Sequence, residues 1–212
     1  MSAAGPVSGP AWRRLWTELG AHTIDGGLFN QLVGAYSQAH RHYHTLQHLR
    51  ECLVHCEAAA SLAQRPAEVE LALWFHDAVY EPQRPDNEER SAEWAWRSIL
   101  AAGCGEEVAQ RVQALVLATH GHEAPAHEPD TRLLVDIDLA ILGAAPPRFA
   151  EYGRQIRAEY AHLDDASYRA GRSGVLSAFL ARPRIYATAA FHDALEHRAR
   201  ENLAGELAAL AA

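Results

Sequence analysis

Residues 71–80, LALWFHDAVY, are apolar on every side except at His76 and Asp77. A helix of that composition is expected to be buried. A carboxylate there is costly unless it meets a cation, either an arginine, for which Arg41 is the candidate, or a metal. A second acid of this kind lies in residues 133–142, LLVDIDLAIL. On a helix Asp136 and Asp138 point nearly opposite ways. Leu134, Val135, Ile141 and Leu142 surround Asp138 at three- and four-residue spacing, while Asp136 has Arg132 four residues before it, the spacing of a surface ion pair. Asp138 is therefore expected to be the buried acid, and two buried acids favour one shared cation over two salt bridges. The third cluster is RHYHTLQH at 41–48. His44 and His48 stand four apart on one helical face, and Cys52 with His55 or Cys56 continues the stripe. Imidazoles ligate metals and move protons near neutral pH. A local H-x3-H-x3-C zinc site is one reading of the stripe, although it lacks the glutamate of H-E-x-x-H and an evident fourth ligand.

The elements that carry these residues read as helices nearly throughout. Helical periodicity predicts segments at 11–20, 28–38, 43–63, 66–80, 87–102, 105–119, 131–142, 147–162, 166–181 and 185–210, with Pro and Gly mostly between them. No hairpin signal or sustained alternation occurs. Asp86 followed by Glu89 matches a capping box, which leaves Glu88 free. Residues 1–10 read as a disordered lead and 11–212 as one all-α domain. The tetrapeptide FHDA recurs at 191–194 within an Arg- and Glu-rich segment, and is read as a chance copy on a long amphipathic closing helix.

Composition narrows the chemistry. All 19 basic residues are arginine, which removes Schiff-base chemistry and a P-loop lysine. A formal net charge of −8 argues against general nucleic-acid binding. No run approaches the length of a membrane span, and the first ten residues lack the basic start and apolar core of a secretory signal. Three cysteines, an odd number, fit a reducing compartment, so a cytoplasmic protein is expected. The 13 histidines are the outstanding feature.

Taken together, the three clusters resemble the HD superfamily of metal-dependent phosphohydrolases, whose pattern is H…HD…D. More narrowly, the chain is similar to a bacterial branch of predicted phosphohydrolases. That branch carries R-H-Y-H-x-L-x-H, W-F-H-D-x-V-Y, a D-N-E…S-A segment and a C-terminal A-R-x-N-L, here residues 41–48, 74–80, 86–92 and 199–203. The resemblance spans about 160 residues and implies an HD-domain-type helical bundle. It implies His44, His76, Asp77 and Asp138 as ligands of one divalent transition metal (Mn, Fe, Co or Zn), with a second metal allowed for. The implied reaction is attack of a metal-activated water on phosphorus. The expected substrate is a small phosphorylated metabolite, with a nucleotide foremost. Arg41 is expected to grip the phosphate, and His48 to face the same cavity as an acid or water-positioner. Glu88 is the candidate general base. His120, in Thr119-His-Gly-His122, is the candidate second-metal ligand or phosphate contact.

Two other functions fit the same residues. An HD-type di-iron oxygenase would need His48 and His120 as extra ligands, and a regulatory module would keep the metal without turnover. Trp94 and Trp96, two apart on one helix, cannot share a face, so one is expected to be exposed or to lie at a homodimer contact.

Overall fold

The computed structural model describes residues 5–122, 125 and 127–211. Among them there is no strand, and ten α-helices account for the all-α class. Each of the ten expected helices is present, with shifted ends. They are α1 (Gly9–Glu18), α2 (Gly26–Ala35), α3 (Leu46–Ala59), α4 (Pro66–Phe75), α5 (Asn87–Ala101), α6 (Glu106–Leu117), α7 (Pro129–Asp138), α8 (Pro146–Glu159), α9 (Asp165–Ala181) and α10 (Ala189–Ala211). None of the described helices is long and apolar enough to cross a membrane. Of the expected disordered lead, residues 1–4 lie outside the described residues, and Ser8 caps α1 by accepting the Ala11 N–H.

The chain divides into two compact units, Met1–Val135 and Asp136–Ala212. The sequence reads as one domain because the division falls inside α7, where no linker composition marks it. In the first unit α4 is the central element and packs against α1, α3, α5 and α6. Its residues from Leu71 to Phe75 are fully buried, as a helix apolar on all faces must be. Trp12, Trp16 and Trp74 meet edge to face, with the Trp12 and Trp74 rings 4.9 Å apart, and join α1 to α4.

In the second unit α10 packs against α9 and against a short 3-10 turn, Leu139–Gly143. Here the structure corrects the reading of the two acids. Asp136, expected at the surface with Arg132, is fully buried, while Asp138 is partly exposed. The Asp136 carboxylate accepts the N–H groups of Ala187 and Thr188, both at 2.7 Å, and the Thr188 hydroxyl at 2.6 Å. Three donors just before α10 thus stabilise the buried acid. The A-R-x-N-L motif is structural too. Arg200 donates to the carbonyls of Leu180, Arg182 and Pro183, and Asn202 to those of Leu142 and Ala144. Gly143 admits this packing, since a Cβ there would stand 2.6 Å from Leu195 Cβ.

Removing the Asp136 carboxylate would take the acceptor from two part-buried N–H groups and a hydroxyl. Asp136→Ala is therefore expected to lower the free energy of unfolding by about 2–4 kcal/mol in urea titrations. A change within experimental error would contradict the assigned role.

Candidate metal centre

Helix α4 stops one residue before the His-Asp pair, whereas the sequence pattern runs it on to Tyr80. The reason lies in who takes the Leu73 carbonyl. In a continuing helix it would accept the Asp77 N–H; instead the His76 Nδ1–H donates to it at 2.8 Å. The Asp77 N–H turns to the Tyr36 hydroxyl at 3.3 Å, and that hydroxyl donates to the Trp74 carbonyl at 3.3 Å. Burial pushes the Tyr36 phenol up to about 12, so it stays protonated at neutral pH. His76 thus caps α4, and Asp77 stands just beyond it in a turn.

That turn is held by side chains from three segments. Arg41, 4% exposed, donates to the carbonyls of Asp77 (2.6 Å) and Ala78 (3.0 Å) and also to the His44 carbonyl (3.1 Å). Its guanidinium lies against the Tyr36 and Tyr80 rings. The His40 Nε2 reaches the Tyr80 carbonyl at 2.8 Å. Ser91 Oγ accepts the Val79 N–H, and Asn87 brackets Glu81 through both of its main-chain groups. The D-N-E…S-A segment therefore serves the turn. Asp86 occupies the N-cap position of α5, yet its carboxylate pairs with Arg84 at 2.7 Å, so the expected capping box is absent.

A carbonyl only accepts, so His76 carries a proton on Nδ1 and turns Nε2 to the site, where a protonated Nε2 donates to Asp77 and an unprotonated one can ligate an ion. His48 Nε2 lies 3.1 Å from it. Asp77 Oδ2 lies 2.9 Å from His76 Nε2 and 3.4 Å from His48 Nε2. Cys52 Sγ stands 3.6 and 3.7 Å from the two ring nitrogens of His48. His48, Cys52 and His76 are buried and offer ligand atoms within 4.8 Å of one another, a group that could hold a metal ion. Donor atoms that share one ion at about 2.0–2.2 Å stand roughly 3.0–3.5 Å apart, so these spacings fit. Burial pushes the Asp77 carboxyl up, but the imidazoles of His76 and His44 and the hydrogen bonds from His48 and His76 outweigh it. They hold Asp77 well below the usual carboxylate range.

The residues singled out in the sequence are distributed as follows. His76, Asp77 and His48 come together. His44 precedes α3, because Thr45 caps that helix at Gln47, so the expected shared helical face with His48 is lost. Its ring stacks on Tyr80 at 4.0 Å and meets the His48 ring at 6.1 Å. Arg41, cast as a phosphate grip, directs its guanidinium to protein carbonyls and to Gln38, and so positions the turn. It reaches the main-chain carbonyl of Asp77. Asp138 closes α7 in the second unit. Glu88 and His120 meet each other, Oε2 to Nδ1 at 3.2 Å, in a more exposed group with Glu89. Trp94 and Trp96 are both half-buried, and Trp94 packs edge-on against Phe75, so neither matches the expected exposed ring. In the FHDA copy at 191–194 Phe191 is buried, whereas Asp193 is 80% exposed. Tyr36 had no signal in the sequence. Cys52 was visible only as the third member of a helical stripe.

Ala78, Val79 and Tyr80, which follow Asp77, line a cavity of about 330 Å³ together with Gln38, Arg90 and Trp94. Searched against family models, curated proteins and solved structures, the chain matches none. The site's own chemistry is therefore what defines its class: a helical protein in which the buried His48, Cys52 and His76 form a cluster that could hold a metal ion.

If Arg41 positions the turn, Arg41→Lys keeps the charge but loses the fork that spans three carbonyls. The variant is expected to keep its helical circular dichroism and to bind zinc about 10–100-fold more weakly in chelator competition. Unchanged affinity would contradict the positioning role.

Proposed function

We propose that the chain is a metal-dependent phosphohydrolase of the HD type, acting on a small phosphorylated metabolite, a nucleotide foremost. The observation that carries this reading is the approach of the His48 and His76 Nε2 atoms to 3.1 Å with Asp77 Oδ2 beside both. Buried lone pairs that close need a proton or a cation between them. His48, His76 and Asp77 would hold the ion. The resemblance adds Asp138 as a further acid, and His44 stands at the edge of the group. Imidazole with carboxylate suits Mn, Fe, Co or Zn better than Ca.

A divalent ion bound there would supply Lewis acidity toward a phosphoryl oxygen and a water acidic enough to react near neutral pH. The chain's own residues do the rest. The His76 bond to Leu73 fixes which nitrogen faces the ion, and Arg41 holds Asp77 in place from behind. Glu88 and His120, in hydrogen-bond contact, make an acid–base pair suited to accept a proton from the attacking water or return one to the leaving oxygen. The nearby cavity is of the size that takes a small metabolite.

The experiment is phosphate release from a panel of nucleotides and sugar phosphates by protein stripped of metal and reloaded with Mn, Fe, Co or Zn. Hydrolysis is expected with at least one pairing and is lost to background in Asp77→Ala. Glu88→Gln is expected to keep the metal and to lose about 10²–10⁴-fold in kcat. Two irons per chain with oxygen uptake, or no phosphate release from any loaded form, would contradict the proposal.

A further inference from the structure

We propose that Cys52 binds the resident cation as a thiolate, so that this centre takes a thiophilic ion of the zinc class. The inference rests on the preceding reading only in placing an ion between His48 and His76; it does not depend on the reaction catalysed.

A buried cysteine is most often an inert small hydrophobe. Three observations set Cys52 apart. It sits four residues after His48 on α3, so both side chains leave the same face of that helix, and both are only 2% exposed. Its Sγ stands 3.6 and 3.7 Å from the His48 ring nitrogens, and it groups with the ligand atom of His76 inside 4.8 Å. Equal distances to both ring nitrogens place Sγ beside the imidazole, so the thiol must rotate toward Nε2 to share an ion with it, where sulfur and nitrogen on one tetrahedral ion stand roughly 3.5 Å apart. The next residue of the stripe, Cys56, lies one turn further along. It lies outside the group of ligand atoms that Cys52 joins.

On coordination the Cys52 S–H bond breaks, its proton leaves to solvent, and the sulfur lone pair forms the bond to the ion; nothing is oxidised or reduced. Sulfur ligation shifts preference toward zinc and cobalt(II) and away from manganese and magnesium, which favour oxygen ligands. With His48 and His76, a Cys52 thiolate makes a mixed N and S set within the first unit.

The test is the absorption spectrum of the full chain loaded with cobalt(II). A near-ultraviolet thiolate-to-cobalt charge-transfer band is expected for the native sequence and for Cys56→Ser, and is lost in Cys52→Ser. Outer partners of metal ligands alone are worth about 10–100-fold in affinity, so Cys52→Ser is expected to cost zinc at least that much and to leave manganese binding nearly unchanged. Cobalt that binds with visible ligand-field bands, lost in His48→Ala, but without the charge-transfer band would overturn the thiolate and leave the phosphohydrolase reading standing. A band that survives Cys52→Ser would also overturn it. No cobalt or zinc binding at all would overturn the thiolate, and no binding of manganese or iron either would overturn the phosphohydrolase reading as well.

Discussion

The first unit depends on where α4 ends. A helix buried on every face cannot present a polar pair to a shared site while it continues, because successive side chains diverge by about 100°. Ending it at Phe75 solves this, and the residue that ends it is itself part of the site. His76 takes the carbonyl of Leu73 with one ring nitrogen and offers the other to the cluster. The helix terminus and the metal-facing tautomer are thus set by one hydrogen bond. The cost falls on residues 77–81, which lose helical hydrogen bonding close to the core. Tyr36, His40, Arg41, Asn87 and Ser91 supply the missing partners.

This accounts for sequence features that carry no ligand. Arg41 belongs to the histidine-rich segment, yet its guanidinium supports the backbone beneath Asp77 and ties that turn to His44. Asn87 and Ser91 do the same for Val79 and Glu81. In the second unit, Asp136, Arg200 and Asn202 satisfy main-chain groups at helix ends and turns. Both units share a tactic: polar side chains, many of them buried, terminate helices where the backbone would otherwise be left without partners.

How much of this could be read beforehand varied with the range of the interaction. All ten helices were legible, because apolar periodicity and Pro/Gly punctuation are local signals. The buried His76 and the part-buried Asp77 beside it were legible for the same reason. What failed depended on partners distant in the chain. Asp136 was placed at the surface, since Arg132 lies within sight along the helix while the donors at Ala187 and Thr188 lie 51 and 52 residues on. The end of α4 was missed because Tyr36 takes the Asp77 N–H across 41 residues. That Arg41 also supports the turn was not legible, because the carbonyls of Asp77 and Ala78 lie 36 and 37 residues on. Cys52 was half-legible: the four-residue spacing from His48 shows on the sequence, but its approach to His76 does not.

The central claim is that His48, His76 and Asp77 surround one cation. Anomalous diffraction at the zinc absorption edge, from crystals grown with zinc, addresses it directly. One strong peak is predicted about 2.0–2.2 Å from the Nε2 atoms of both histidines and from an Asp77 oxygen. A map with no peak there, or with its only peak between Glu88 and His120, would contradict the account.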